Sequence, residues 1–165
     1  MSTVETLDNV IGADLAPSVT ATRFPLHYVE NNIEMGAAAT AKGSGLAAGD
    51  IIEAVRLPAN SIVLAAGFEV ITDAVGPTTL TVDLGVTGTA VDIFVDGYDW
   101  AAGGVGDFGV QPAAFYPVVF AASDTVDVEL QTLSGGTLSA GELRVWVIYG
   151  DISDQRKPGL VALKS

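Results

Sequence analysis

Thr125-Val126-Asp127-Val128-Glu129-Leu130-Gln131 sets Val126, Val128 and Leu130 on one side of an extended chain and Thr125, Asp127, Glu129 and Gln131 on the other. Successive side chains of a strand point to opposite faces, so this alternation describes a strand with one face buried and one wet. Strands of that kind belong to antiparallel sheets. Residues 79–86 repeat the pattern, with Leu80, Val82, Leu84 and Val86 on a single face. Residues 142–149 depart from it. Leu143, Val145, Val147 and Tyr149 line one side, while the other runs Glu142, Arg144, Trp146, Ile148. That strand starts half wet and ends covered on both sides.

Outward from these three segments, further strands are expected at residues 24–30, 33–39, 51–57, 62–72 and 115–120, about eight in all. No segment supports an amphipathic helix of ten or more residues. Many short strands without helices make an all-β protein, and about eight antiparallel strands in two layers point to a β-sandwich of jelly-roll type. The sandwich is expected over residues 23–151, after an extended N-terminal arm (1–22) and before a C-terminal tail (152–165). The arm shows neither helical nor strand periodicity, and Gly12 and Pro17 interrupt it. It is either a frayed end or a segment that orders on a neighbour. A faint echo links Leu46-Ala47-Ala48-Gly49-Asp50 with Leu138-Ser139-Ala140-Gly141-Glu142, which recurring turn chemistry explains as well as duplication does.

The longest irregular stretch is 87–114, rich in glycine and holding Phe94, Tyr98, Trp100 and Phe108, with one helical turn expected at 91–95. A loop of this length in a compact domain is usually functional. Its aromatics either fold back over the end of the sandwich or present Tyr98 and Trp100 to another subunit.

The chain of 165 residues carries 20 acidic and 7 basic side chains, a net charge of −13. Only 16% of its residues are charged, against about 25% in an average soluble domain. Apolar residues make up 49%, and the mean hydropathy is +0.45. The deficit concentrates at Trp146 and Ile148, across 108–123 and across 36–49, which are the surfaces expected to be covered by other subunits. The scattered bases leave no stripe for phosphates, which argues against direct nucleic-acid binding and against anionic membranes. No apolar run is long enough to span a bilayer, and residues 1–10 lack the features of a secretory signal.

Candidate chemistry is thin. Gly104-Val105-Gly106-Asp107-Phe108-Gly109 fits a dinucleotide-binding spacing, yet that motif needs a helix after it, and Pro112 follows instead. Asp92, Asp96, Asp99 and Asp107 crowd together as hard-cation ligands do, without the spacing of a calcium loop, and solvated turn acids explain them better. His27 is the single histidine, and there is no cysteine. One histidine supplies neither a cupin-type metal set nor a triad lacking its nucleophile elbow. A pair of carboxylates distant in sequence remains open, with no particular pair indicated. The chain reads as a non-enzyme without a cofactor or a metal.

The stretch Ala48-Gly49-Asp50-Ile51-Ile52-Glu53-Ala54-Val55-Arg56-Leu57-Pro58-Ala59 resembles small virion proteins of tailed bacteriophages that decorate or cement the capsid. The strand at 62–72, Thr-Leu-Thr-Val-Asp-Leu-Gly-Val at 79–86, the acidic-aromatic loop at 91–99 and the strand at 143–149 extend the resemblance over about residues 48–151. It implies a jelly-roll protein, often a homotrimer, seated on the outer capsid surface where major-capsid subunits meet. Arm and tail are then expected to reach a neighbour or the shell, the tail through Arg156, Lys157 and Lys164. Solvated charge on a loose tail explains that cluster too. Tyr98, Trp100, Trp146, Ile148, Arg156 and Lys157 are the expected interface residues. The competing reading is a carbohydrate- or host-surface-binding module of a phage head or tail appendage, with Tyr98 and Trp100 as its stacking platform.

Overall fold

Among the described residues nine strands and one helix follow in the order β1 (Leu26–Glu34), α1 (Met35–Lys42), β2 (Ile51–Leu57), β3 (Ser61–Val75), β4 (Thr79–Val86), β5 (Ala90–Asp99), β6 (Phe108–Val110), β7 (Val118–Phe120), β8 (Asp124–Ser134) and β9 (Ala140–Asp151). They come from a computed structural model that describes residues 25–110 and 117–153. The expected arm, most of the tail, Phe24 and the start of the segment at 115–120 lie outside the described residues.

One sheet runs β1-β9-β3, with β6 and β7 pairing successive stretches of β3's far edge. The other runs β2-β8-β4-β5, and every pairing is antiparallel. The pairs are nested: β1 with β9, β2 with β8, β3 with β6 and β7, β4 with β5. A chain folded double and then rolled produces that nesting, and it is the topology of a jelly roll. With β6 and β7 sharing one position, the nine strands fill the eight places expected.

The alternating segments supply the core. Val126, Val128 and Leu130 of β8 and Leu80, Val82, Leu84 and Val86 of β4 face Phe68 and Val70 of β3 and Leu143, Val145 and Val147 of β9, all buried. Removing that apolar area from water is the main drive for closing the two sheets.

Three expectations are corrected. Residues 33–39 do not form a strand: the extended chain ends at Glu34 and α1 begins at Met35. Gly-Ala-Ala-Ala-Thr-Ala-Lys is alanine-rich and favours helix, and Gly43 in the left-handed region (φ 76°) closes it by donating its N–H to the carbonyls of Ala39 and Thr40. Within 87–114, residues 90–99 form β5 rather than a loop with a helical turn, because Thr87-Gly88-Thr89 makes a tight hairpin that returns the chain along β4. The outward faces of β4 and β8 are not uniformly wet. Thr125, Asp83 and Asp127 are buried. A Cβ on Gly85 would collide with the backbone of Ala90 and Val91, so the hairpin curls over this face and covers the two carboxylates.

Candidate functional site: the outer face of the β1-β9-β3 sheet

The registers place the outward side chains of this sheet in rows. Leu26 opposes Gly150, which opposes Ile62, which opposes Val119. The next row is Tyr28, Ile148, Ala65; then Glu30, Trp146, Gly67; then Asn32, Arg144, Glu69, Phe108; and finally Glu34, Glu142, Thr72. The face is therefore graded, apolar where β1 begins and β9 ends, and charged at the opposite end. Leu26 (60% exposed), Tyr28 (58%), Phe108 (56%) and Val119 (47%) are among the most exposed large apolar side chains, and all four are on it.

Trp146 and Ile148 lie half-buried in its middle. The absence of a side chain at Gly67 makes room for the indole: a Cβ there would lie 2.7 Å from Trp146 Cζ2 and 2.6 Å from the Gly109 carbonyl. Arg144 bridges the sheet, pairing with Glu69 on β3 and lying 4.0 Å from Glu30 on β1. Glu30 in turn accepts a hydrogen bond from the Tyr28 hydroxyl (2.6 Å), a bond that chiefly raises the phenol's pKa. An apolar field flanked by an organised ion-pair ladder is the arrangement of a contact surface, with apolar area for affinity and charge for register.

The other expected site residues separate. Trp100 is 1% exposed, its ring so close to Gly141 that a Cβ there would lie 2.9 Å from Cζ2, so its indole belongs to the core and offers no surface. Tyr98 is half-buried, edge-on to Phe68 at 5.2 Å, and its hydroxyl donates to Asp107 (3.1 Å). Burial and that carboxylate push its pKa up to about 12. These two aromatics fold back over the sandwich and do not form an exposed stacking platform. Arg156 and Lys157 lie outside the described residues. Leu26 and Tyr28 were not among the expected interface residues, whereas Phe108 and Val119 fall within 108–123, one of the surfaces expected to be covered. Tyr28 and Leu26 did stand beside His27 in an expected strand, but which face of that strand pointed outward was unknown.

Two of the four clustered acids, Asp99 and Asp107, have local structural tasks. Asp107 accepts the Gly104 N–H, Asp99 accepts the Ala102 N–H, and both close turns. The glycine-rich stretch at 104–109 makes the turn into β6, with Gly106 N–H bonded to the Val70 carbonyl and Val70 N–H to the Asp107 carbonyl. Among the described residues no three His, Cys, Asp or Glu side chains are placed to hold a metal ion, and no helix is long and apolar enough to cross a membrane. His27 stacks on Tyr149 at 4.9 Å.

No family model and no curated protein matches the chain. Solved structures do. A chain of the capsid of Ralstonia phage GP4 superposes with a TM-score of 0.57 at 18% identity, over 77% of this chain and 84% of that one. A chain of the cyanophage Pam1 capsid asymmetric unit gives 0.53 at 16%, over 79% and 87%. A chain of the acidic stable capsid of Helicobacter pylori bacteriophage KHP30 gives 0.52 at 12%, over 78% and 90%. The nested antiparallel sandwich built by residues 26–151 is thus a fold that this chain shares with chains of phage capsid structures.

Proposed function

We propose that the protein is a structural virion protein, a capsid decoration or cement protein that binds the assembled major-capsid lattice at subunit junctions on the outer surface. The observation that carries this reading is the graded apolar face of the β1-β9-β3 sheet on a chain otherwise strongly acidic. A contiguous apolar patch on a soluble chain marks an interaction surface. The shared fold with chains of phage capsids and the sequence resemblance over residues 48–151 support the same partner. The protein acts by contact rather than by chemistry. A ligand that binds only the assembled lattice stabilises it by mass action, and many copies multiply the effect on one shell. By the same resemblance it is a homotrimer, made in the host cytoplasm before it joins the particle.

Cryo-electron microscopy of the parent particle tests the reading. Density for this chain on the outer shell, together with binding to assembled capsids but not to free coat subunits, is the expected result. Density at a tail tip, or none on the shell, overturns it.

A further inference from the structure

Among the described residues the two sheets end in four edges: β1 and the position shared by β6 and β7 in one, β2 and β5 in the other. Three are blunted in the ways natural sheets use against stray pairing. Strands β6 and β7 are three residues each. Strand β5 slips register twice against β4 and carries Asp92 and Asp96, both exposed. Strand β2 slips between Glu53 and Val55, and Asn31 Nδ2 occupies the Ala54 carbonyl there at 2.8 Å. Strand β1 has none of these protections. Its nine residues keep one register on β9, from Leu26 opposite Gly150 to Glu34 opposite Glu142, without a bulge, a proline or a lysine. Only Val29 and Ile33 among them are not exposed.

Two bonds at the end of β9 fix which way the backbone groups of β1 point. Asp151 donates its N–H to the Pro25 carbonyl at 3.3 Å, on the β1 side, and Ile152 donates to the Asn60 carbonyl at 2.8 Å, on the β3 side. In an antiparallel ladder successive residues turn their backbone groups to alternate sides. His27, Val29 and Asn31 therefore face β9, whereas Leu26, Tyr28, Glu30 and Asn32 turn their N–H and C=O groups to the open side. Seven residues at about 3.3 Å each make roughly 23 Å of unpaired edge. The side chains of the same four residues stand on the outer face. A strand added here continues the row from Val119 to Leu26 and the row from Ala65 to Tyr28.

The side chains define what fits. Leu26 and Tyr28 call for apolar partners at alternate positions of the added strand. Glu30 is already met by Arg144 and the Tyr28 hydroxyl, while Glu34 makes no ion pair among the described residues, so a lysine or arginine belongs beside Glu34. A second copy of β1 does not match. Two-fold pairing over the whole strand sets Leu26 beside the other copy's Glu34 and Glu30 beside Glu30, and pairing centred on Tyr28 sets Leu26 beside Glu30. Both registers bring together chains of net charge −13. We infer that β1 receives an extended segment of a major-capsid subunit, antiparallel to it, with alternate apolar side chains beside Leu26 and Tyr28 and a basic one beside Glu34. The inference rests on the proposed capsid binding and supplies its mode, strand addition, in which main-chain bonds give affinity and alternate side chains select the segment.

Deuterium exchange, read amide by amide on the full-length protein free and bound to assembled capsids, tests this. On binding, the amides of Tyr28, Glu30 and Asn32 are expected to slow at least ~10-fold, while those of His27, Val29 and Asn31, already turned to β9, change little. Binding that leaves the first three fast overturns the inference and leaves capsid binding standing. Slow exchange at those three in the free protein also overturns it, because the edge is then covered within the chain or by a second copy. Failure of the wild-type protein to bind capsids overturns the proposed function and the inference with it. A substitution gives the second measurement. Asn32→Pro removes one outward N–H, which an edge strand tolerates, and Asn32→Thr keeps it. Relative to Asn32→Thr, Asn32→Pro is expected to bind capsids ~10-fold or more weakly in co-sedimentation, with a melting temperature within ~4 °C. Equal binding by the two variants overturns the inference, and exchange on the wild-type chain decides it whether or not the proline variant folds.

Discussion

At the scale of single residues, Asp83 shows how a wet-face position becomes buried. Its carboxylate accepts the Gly97 N–H at 2.6 Å under the returning hairpin, and burial raises its pKa above the usual carboxylate value. A group whose pKa is raised on folding binds its proton more tightly in the folded chain, so stability falls as pH climbs from about 4 through the raised value. Asp83→Asn keeps an acceptor for Gly97 and removes the buried charge. Thermal melts are expected to show the variant more stable at neutral pH by about 1 kcal/mol, roughly 2–4 °C, with the difference closing near pH 3. Trp100 gives the opposite case. It is enclosed, with Nε1 lacking a hydrogen-bond partner among the described residues, so only its apolar surface holds it there. Trp100→Ala is expected to cost about 3–5 kcal/mol by denaturant titration. A cost under about 1 kcal/mol would return the residue to the surface.

At the scale of elements, β9 was legible and α1 was not. The two faces of β9 are the ones its alternation described: Leu143, Val145 and Val147 are buried, while Arg144, Trp146 and Ile148 lie between buried and exposed on the outside. Helix α1 follows directly on a nine-residue strand, and its hydrophobic pattern is weak, so period alone does not mark the boundary at Met35. Its alanines and Gly43 were the available signal. Gly43 has open space where a side chain would go, so Gly43→Ala tests conformation without collision. It is expected to cost about 1 kcal/mol, read as a fall in melting temperature, because alanine resists the left-handed region that glycine enters freely. Gly67 is the steric counterpart. Gly67→Val drives a side chain into Trp146 and the Gly109 carbonyl, with an expected loss of about 1–3 kcal/mol.

At the scale of the molecule, the two sheets present unlike outer faces. One carries the apolar rows from Leu26 to Val119 and from Tyr28 to Ala65, the other the row Ile51, Glu129, Asp83 and the row Glu53, Asp127, Gly85. On the second of these faces Asp83 and Asp127 lie covered by the β4–β5 hairpin, and a net charge of −13 repels copies of the chain from one another while the first face offers apolar area for a specific contact. Leu26→Asp and Tyr28→Asp place a charge on exposed positions of that face. Each is expected to leave the melting temperature within about 2 °C of wild type and to weaken capsid binding by ~10-fold or more in a co-sedimentation assay. Unaltered binding in both variants would place the contact elsewhere. Light scattering on the isolated protein is expected to give about three times the 16.9 kDa chain mass, and a monomer would remove the trimer.

The alternation at 79–86, 125–131 and 142–149 determined by itself that this is an antiparallel sandwich, because period two is a local property and each strand carries it alone. Composition and pattern likewise set Trp146 and Ile148 on the side of β9 opposite Leu143, Val145 and Val147, where the structure leaves both half-buried. Which outward side chains share a face is not local. Leu26, Ile62 and Val119 are dozens of residues apart and meet only because β1, β9, β3 and β7 pair in that register. Whether an aromatic in a glycine-rich stretch faces water or core was likewise decided by how the β4–β5 hairpin and the turn after it fold back. There Trp100 N–H bonds to the Leu80 carbonyl and the indole goes inside. Periodicity reports how a strand divides water from core; pairing across the sheet decides which divided faces add up to a surface.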